Sequence, residues 1–500
     1  MQVEVITGSI TEIICDALIV NVFEGVNLPS GATGAVDTAL DGQIAGLIRS
    51  KQGAGKYGAT SILHICTGVG ARQVILLGLG KQEEFTLDRL RDVAGTAIRA
   101  AQKLDARSVA TVIHGAGQAG FDPQAASQAL VEGTLLGNYR FRHYKTAKDD
   151  VVLPENLYII DNDAQKITAI TAGARRGQTI AAAANLARDL VNHPANHMTP
   201  TKMAAQAAEI AAKLGLELQV LDEGKIAALG MSAFLAVSQG SHEPPRLIVM
   251  KYTGNPGSKN LLALVGKGVT FDSGGISLKP SEGMHEMKDD MAGAAAVLGA
   301  LQAIAELRPP VNILAVVPCT ENLPSGYAFR PGDVIGSLGG KTIEIISTDA
   351  EGRLILADAI AYALRLGATH IVDLATLTGA CVVALGNITS GVMANDRALC
   401  RQVLDAAGAV GEKMWELPLH EEYKEQIKSD IADLKNSGGR PAGAITAGLF
   451  IANFTGDKPW VHIDIAGTVS SDKDNGYNVK GATGVGVRTL VRLAENLGAW

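Results

Sequence analysis

Two carboxylates, Asp349 and Glu351, stand two residues apart in Ser347-Thr-Asp-Ala-Glu-Gly-Arg-Leu354. In an extended or turning backbone, side chains at i and i+2 share a side. Two acids on one side repel each other unless a cation sits between them. A second charged cluster lies upstream in a glycine-rich frame: Lys267, Asp272 and Lys279, then Lys288-Asp289-Asp290. Two such clusters point to a metal site built mainly of oxygen ligands. Asp272, Asp290, Asp349 and Glu351 are hard donors suited to magnesium, manganese or zinc. Four acids exceed what one divalent ion needs, and a pair of ions about 3.5–4 Å apart, a known hydrolytic device, would balance them. A lysine could join the ligands only as the neutral amine, its pKa driven down by burial and nearby cations. A second lysine that keeps its proton could stabilise an oxyanion. Arg353 could hold an anion against the same site.

Each piece also has a structural reading. Asp349 could cap the helix that begins near Leu354. Glu351 could favour that helix's dipole and pair with Arg353. Lys267 and Asp272 could form a surface pair near a turn. The conjunction of the clusters weighs against coincidence. His462 reads as a strand residue satisfied by hydrogen bonds rather than a ligand, and Met284 and Met287 as apolar lining or pocket wall. There is no His-Glu-x-x-His and no Gly-x-Ser-x-Gly, which argues against a zincin and against a hydrolase serine. Gly340-Lys341-Thr342 ends like a phosphate-binding loop, but Ile335 stands where that motif needs glycine.

The elements that must position these residues alternate between β-branched runs and helical patterns, as in an α/β fold with a largely parallel sheet. Strands are expected at residues 13–20, 73–77, 109–114 and 157–160, with a helix at 89–104. The alternation resumes with strands at 261–265, 311–317, 342–346, 370–374 and 460–465, and helices at 291–307, 354–366 and 444–454. In open α/β sheets ligands bind at the carboxyl ends of strands. Lys267 with Asp272, Asp349 with Glu351, and residues 377–379 follow three such ends, as one shared site requires. A first domain over residues 1–165, a helical connector over 166–190 and a second domain over 191–500 are expected.

The chain has 500 residues, enough for two or more domains, and its 47% hydrophobic content supplies an ample core. A net charge of −7 argues against general nucleic-acid binding. Arg175-Arg176 and the basic stretch at 140–148 read as solvated surface. Cys15, Cys66, Cys319, Cys381 and Cys400 are scattered, which suggests buried thiols in a reducing compartment. The N-terminus shows no basic leader or apolar signal core. The longest apolar run, 291–307, falls short of the ~20 residues of a membrane span. A soluble, cytoplasmic protein with no membrane contact is expected.

At these residues the sequence resembles the leucine aminopeptidase family, cytosolic two-metal enzymes that remove N-terminal amino acids. The resemblance runs through Asn192-His-Pro-Ala-Asn196-His-Met-Thr199-Pro200 and residues 265–280, 289–293, 348–359, 373–380, 443–447 and 460–467. It implies that Lys267, Asp272, Asp290 and Glu351 bind one metal ion. Asp272, Asp349 (with its backbone carbonyl) and Glu351 would bind the other, the ions being manganese or zinc. Lys279 would stabilise the oxyanion, and Arg353 would hold a bicarbonate. Leu377 would contact substrate through its carbonyl, and Met287, Thr376 and Gly379 would line the first side-chain pocket. Peptides with a free N-terminus would be the substrates and a homohexamer the assembly. Ser347 departs from the asparagine usual in the family, which leaves the ligands intact but bears on leaving-group preference. The first domain resembles a macrodomain in residues 8–21 and 29–37, so the implied fold is a macrodomain-like α/β/α sandwich before a larger α/β domain with a mixed sheet. Where ADP-ribose binders carry Asn-Ala-Ala-Asn, this chain has Asn21-Val-Phe-Glu24, which favours a structural or assembly role. The competing functions are an ADP-ribose-type binding protein with a degenerate second half, and a two-metal phosphoesterase.

Overall fold

The computed structural model describes residues 1–50, 53–65, 67–115, 119–146 and 151–499. Cys66 and the end of the basic stretch at 140–148 lie outside the described residues. The chain divides into two compact units: Met1–Ala182 with Asp472–Lys480, and Ala183–Ser471 with the chain from Gly481 on. The expected connector, residues 166–190, lies from Ile167 onward in a single helix that runs to Asn192, and the division falls inside that helix. Residues 472–480, expected in the second domain, group with the first unit.

The first unit holds strands β1 (Gln2–Thr7), β2 (Cys15–Val22), β3 (Thr60–His64), β4 (Ala71–Gly78), β5 (Ser108–Thr111) and β6 (Asn156–Asp161). Its helices are α1 (Gly31–Ala39), α2 (Gln43–Ser50), α3 (Leu87–Gln102), α4 (Pro123–Gly137) and the start of α5 (Ile167–Asn192). The sheet order is β1-β6-β5-β2-β4-β3, parallel except for the edge strand β3. Parallel neighbours need crossover connections, and the helices supply them. Leu90, Val93, Ile98 and Leu130 from α3 and α4 cover one face. Val36, Leu40 and Ile44 from α1 and α2 cover the other, giving the α/β/α layering. Buried on both sides, β2 reads as a continuous apolar run, which is why periodicity found it. The edge strands β1 and β3 lack that signal and were not expected.

The second unit contains α6 (Pro200–Leu214), β7 (Glu217–Leu221), α7 (Glu223–Leu229), α8 (Ser232–Ser238), β8 (Arg246–Thr253), β9 (Leu262–Gly266) and β10 (Gly268–Asp272). There follow α9 (Ala292–Leu307), β11 (Asn312–Asn322), β12 (Val334–Ile335), β13 (Ile343–Glu344), α10 (Gly352–Arg365), β14 (His370–Ala375) and α11 (Gly379–Leu385). The last elements are β15 (Ser390–Ala394), α12 (Arg397–Val410), β16 (Met414–Glu416), β17 (Leu434–Lys435), α13 (Gly443–Ala452), β18 (Trp460–Asp464) and α14 (Val487–Asn496). Nine strands form one mixed sheet, β16-β15-β18-β14-β9-β11-β8-β7, with β10 also paired to β11. Its central strands, β18, β14, β9 and β11, are parallel. Apolar residues of α8, α10 and α13 pack over one face. Helix α9, buried along nearly its whole length, packs against β9, β14 and α14. By length and composition the stretch Met284–Leu307 could cross a membrane, but it is mostly buried inside the unit and serves as a core helix.

Two expected elements differ. The strand expected at 342–346 is only the two-residue β13, in a separate sheet with β12 and β17. The strand expected at 311–317 continues through Pro318 to Asn322. Proline lacks a ladder donor and so reads as a strand terminator.

Close packing at two glycines brings α9 to the sheet. Strands β9 and β10 both pair with β11, and Lys267 is the single residue between them. There its N–H donates to the Leu374 carbonyl (3.0 Å), while its own carbonyl accepts from the Ala294 N–H (2.9 Å). A Cβ at Gly293 would stand 2.1 Å from the Leu374 oxygen, and one at Gly266 2.6 Å from the Gly293 oxygen. Gly293→Ala therefore forces the start of α9 off the sheet and is expected to cost about 1–3 kcal/mol, as overpacking does, read as a lower midpoint of urea unfolding.

Candidate metal centre

The break between β9 and β10 turns Lys267 inward, where it is 2% exposed. Its ammonium lies 2.7 Å from Asp290 Oδ1 and 2.8 Å from Glu351 Oε1, and it donates to the Thr376 carbonyl (3.0 Å). Thr376 Oγ1 donates to the same Asp290 oxygen (2.7 Å). Gly352 is what lets the lysine pass: a Cβ there would stand 2.6 Å from Lys267 Cε. Asp272, at the carboxyl end of β10, accepts at Oδ1 from the Gly274 N–H and from Asn322 Nδ2, both at 2.8 Å. Lys279 then lies 2.9 Å from Asp272 Oδ2 and 2.6 Å from Asp349 Oδ1.

Several of the structural readings do not match the geometry, although Glu351 does stand at the start of α10, where its charge suits the helix dipole. Lys267 with Asp272 is not a surface pair, since both are buried. Asp349 spends its carboxylate on Lys279 rather than on capping α10, and the helix's N-cap position, Glu351, makes no side-chain cap bond. Arg353 Nη1 donates to the Asn436 carbonyl (2.8 Å). His462 is half satisfied: Nδ1 lies 2.6 Å from Asp373 Oδ1, but the buried Nε2 has no partner.

The cluster fits divalent cations. One ligand oxygen from each of Asp272, Asp290 and Glu351 falls within 4.8 Å of the others. Asp290 Oδ2 and Glu351 Oε2 are buried without any hydrogen-bond partner, an arrangement that costs free energy unless a cation meets them. Two ammoniums face four acids, and the titration of the acids reflects that shortfall. Burial, reinforced by the Glu351 charge, pushes Asp272 up to about 6 against the pull of Lys279 and Lys267. Burial likewise drives Asp290 well above the carboxylate range. Glu351 moves the other way: the two lysines outweigh its burial and hold it low. Lys267 is raised despite its burial, because three carboxylates surround it. Burial lowers Arg353 to about 10.

The remaining expected residues adjoin this cluster along the chain, next to Asp290 or Thr376. Residues 376–379 follow β14, where the Leu377 N–H and Thr378 Oγ1 donate to the buried Asp464 carboxylate at 3.1 and 2.7 Å. Met287 is half-buried in the short helical segment Met284–Asp289 that leads to Asp290. Neighbouring Lys288 is committed elsewhere, donating to the Asn192 carbonyl at 2.8 Å. Sequence reasoning missed Asn322, Asn436 and Asp464. The carboxamide of Asn436 clamps the turn before Glu351, accepting from the Ile346 N–H (2.8 Å) and donating to the Ser347 carbonyl (2.6 Å). Its distant position in the chain offers no local signal. In the first unit a cavity of about 660 Å3 is lined by Asn21, Phe23, Ser30 and Asp161, among others. There the Asn21 amide lies 3.0 Å from Nδ1 of buried His114, an internal contact.

The model of the cytosol aminopeptidase family catalytic domain matches residues 185–491, and that of the family's N-terminal domain matches residues 19–148. A protein of Alkaliphilus metalliredigens named probable cytosol aminopeptidase is 49% identical, over 99% of this chain and 100% of its own. One of the same name from Geobacter sulfurreducens is 46% identical, over 99% of each chain. Among solved structures, a mutant of tomato leucine aminopeptidase superposes with a TM-score of 0.89 at 34% identity, covering 99% of this chain and 96% of that one. The bottromycin maturation enzyme BotP in complex with Mn superposes with a TM-score of 0.86 at 34% identity, covering 97% and 99%.

Replacing Lys267 by Met leaves Asp290 and Glu351 facing each other without their ammonium. In metal-free protein this is expected to cost about 3–5 kcal/mol, the range for breaking a buried ion pair, measured by urea unfolding in the presence of a chelator.

Proposed function

The chain belongs to the cytosol aminopeptidase family, and from that premise we propose that it is a metal-dependent aminopeptidase that releases N-terminal residues, apolar ones such as leucine favoured, from peptides. The observation that carries this reading is the pair of buried carboxylate oxygens on Asp290 and Glu351 that no protein donor meets. Lys267, Asp272, Asp290 and Glu351 would hold one divalent ion, and Asp272, Asp349 and Glu351 the other. When bound, manganese or zinc supplies Lewis acidity toward the scissile carbonyl and lowers the pKa of water.

The chain's own groups do the rest. A lysine ligates only as the neutral amine, so as a ligand Lys267 would have to give up its Nζ proton. Lys279, 23% exposed at its side chain, can turn its ammonium from Asp272 and Asp349 toward the developing oxyanion. Arg353 would hold the bicarbonate that the family resemblance implies, a reading supported by its buried Nε, which has no protein partner. Met287, Thr376, Leu377 and Gly379 would receive the first residue of the substrate. The family resemblance supports a homohexamer, and exposed Val383, Ile388 and Trp415 offer apolar surface for such an assembly. A cytoplasmic location accords with the same reading.

Chelation of the purified protein should abolish hydrolysis of leucine amide, and manganese or zinc should restore it; full activity in metal-free protein would overturn the mechanism. N-acetyl-leucine amide should not be cleaved, because the free amine is lost. Lys279→Met should lower kcat by roughly 10²–10³, the usual cost of an oxyanion donor, with both ions still bound by metal analysis.

A further inference from the structure

Asn322 closes β11 directly opposite Asp272 in the parallel ladder, and it is fully buried. Its Nδ2 donates to Asp272 Oδ1 at 2.8 Å and to the Thr348 carbonyl at 3.0 Å. Both partners are acceptors, so the amide can face them only through its nitrogen. Its backbone carbonyl accepts from the Ser273 N–H (3.0 Å) and the Ser273 hydroxyl (2.7 Å). One residue thus ties together the end of β10, the loop beyond it and the turn that carries Asp349 and Glu351. The space for it is specific. A Cβ at Gly275 would stand 2.7 Å from Asn322 Oδ1, and Gly275 adopts φ +66°, where side chains are disfavoured.

We propose that Asn322 is a positioning residue for the metal centre: it sets the rotation of the Asp272 carboxylate and locks β10 to the turn bearing Asp349 and Glu351, so that acids from two segments keep their spacing. The proposal rests on the metal-site reading above. Groups that orient ligands from behind are typically worth 10–100-fold in metal affinity. Asn312, at the other end of the same strand, provides an internal control. It is buried, and its carboxamide bonds only to backbone, donating to the Asn255, Ser258 and Asn260 carbonyls and accepting from the Asn255 N–H. Its role is to hold the loop at residues 255–260, at the opposite end of β11 from Asn322.

The test is calorimetric titration of the metal-free full-length chain with Mn2+, beside thermal unfolding and steady-state kinetics on leucine amide at saturating Mn2+. Asn322→Ala should weaken Mn2+ binding 10–100-fold and lower kcat, with KM changed less than about threefold. Asn322→Ser, which keeps a shorter donor and serves if the alanine variant does not fold, should fall between the two. Asn312→Ala should lower the unfolding temperature yet bind Mn2+ as the unaltered chain does. Asn322 variants that bind Mn2+ within about twofold of the unaltered chain would overturn the proposal alone. So would an equal loss of affinity in Asn312→Ala, which would mark the effect as general destabilisation. An unaltered chain that takes up no Mn2+ would instead overturn the metal-site reading, and this proposal with it.

Discussion

Like charges brought together in a dry interior are the constraint on which the second unit is organised. Asp272, Asp290 and Glu351 are each at most 5% exposed, and their mutual repulsion is not diluted by water. Such a cluster persists only if cations are held among the acids and if the backbone that supplies them resists spreading. Both conditions are met by construction. Lys267 is drawn in through the one-residue break between β9 and β10, and Lys279 reaches back from the loop beyond β10. The resisting frame is the parallel centre of the sheet, whose strands are buried along both faces and deliver their carboxyl ends to one place.

Small residues are what make that delivery possible. Helix α9 must start against the sheet for Asp290 to meet Lys267, and the backbones at Gly266 and Gly293 approach too closely for any Cβ. The lysine stem then runs past Gly352, which explains why a glycine follows Glu351. The high glycine content thus does more than furnish turns, since at these positions it sets the distance between an acid and its counter-ion.

The chemistry was legible in the sequence where it was local. Asp349, Glu351 and Arg353 lie in one short stretch, and Lys267, Asp272 and Asp290 lie in a second one upstream, so types and spacing were enough to nominate them. The central strands were legible because burial on both faces leaves an unbroken apolar run. What was not legible depends on register or on distant partners. Asn322 was missed because the expected strand stopped before Pro318, five residues short of its true end. Asn436 and Asp464 act on turns 90 or so residues away, through backbone groups that carry no sequence signature. The strand expected at 342–346 failed for a related reason: its run crosses a loop where only Ile343 and Glu344 find ladder partners. The grouping of residues 472–480 with the first unit is likewise invisible to local pattern.

The two lysines give the site a further property. Without metal each ammonium sits between a pair of acids, Lys267 between Asp290 and Glu351, and Lys279 between Asp272 and Asp349. On the proposed reading, Asp272, Asp290, Asp349 and Glu351 would hold divalent ions in place of those contacts. Lys267 would answer by releasing its proton and Lys279 by turning away, which its partial exposure permits and the burial of Lys267 does not. The acids would then never face one another uncompensated, whether metal is present or absent. On that reading the difference in burial between two otherwise similar lysines would separate a ligand from a mobile oxyanion donor, and it follows from backbone placement: one residue between β9 and β10, the other in the loop that follows β10.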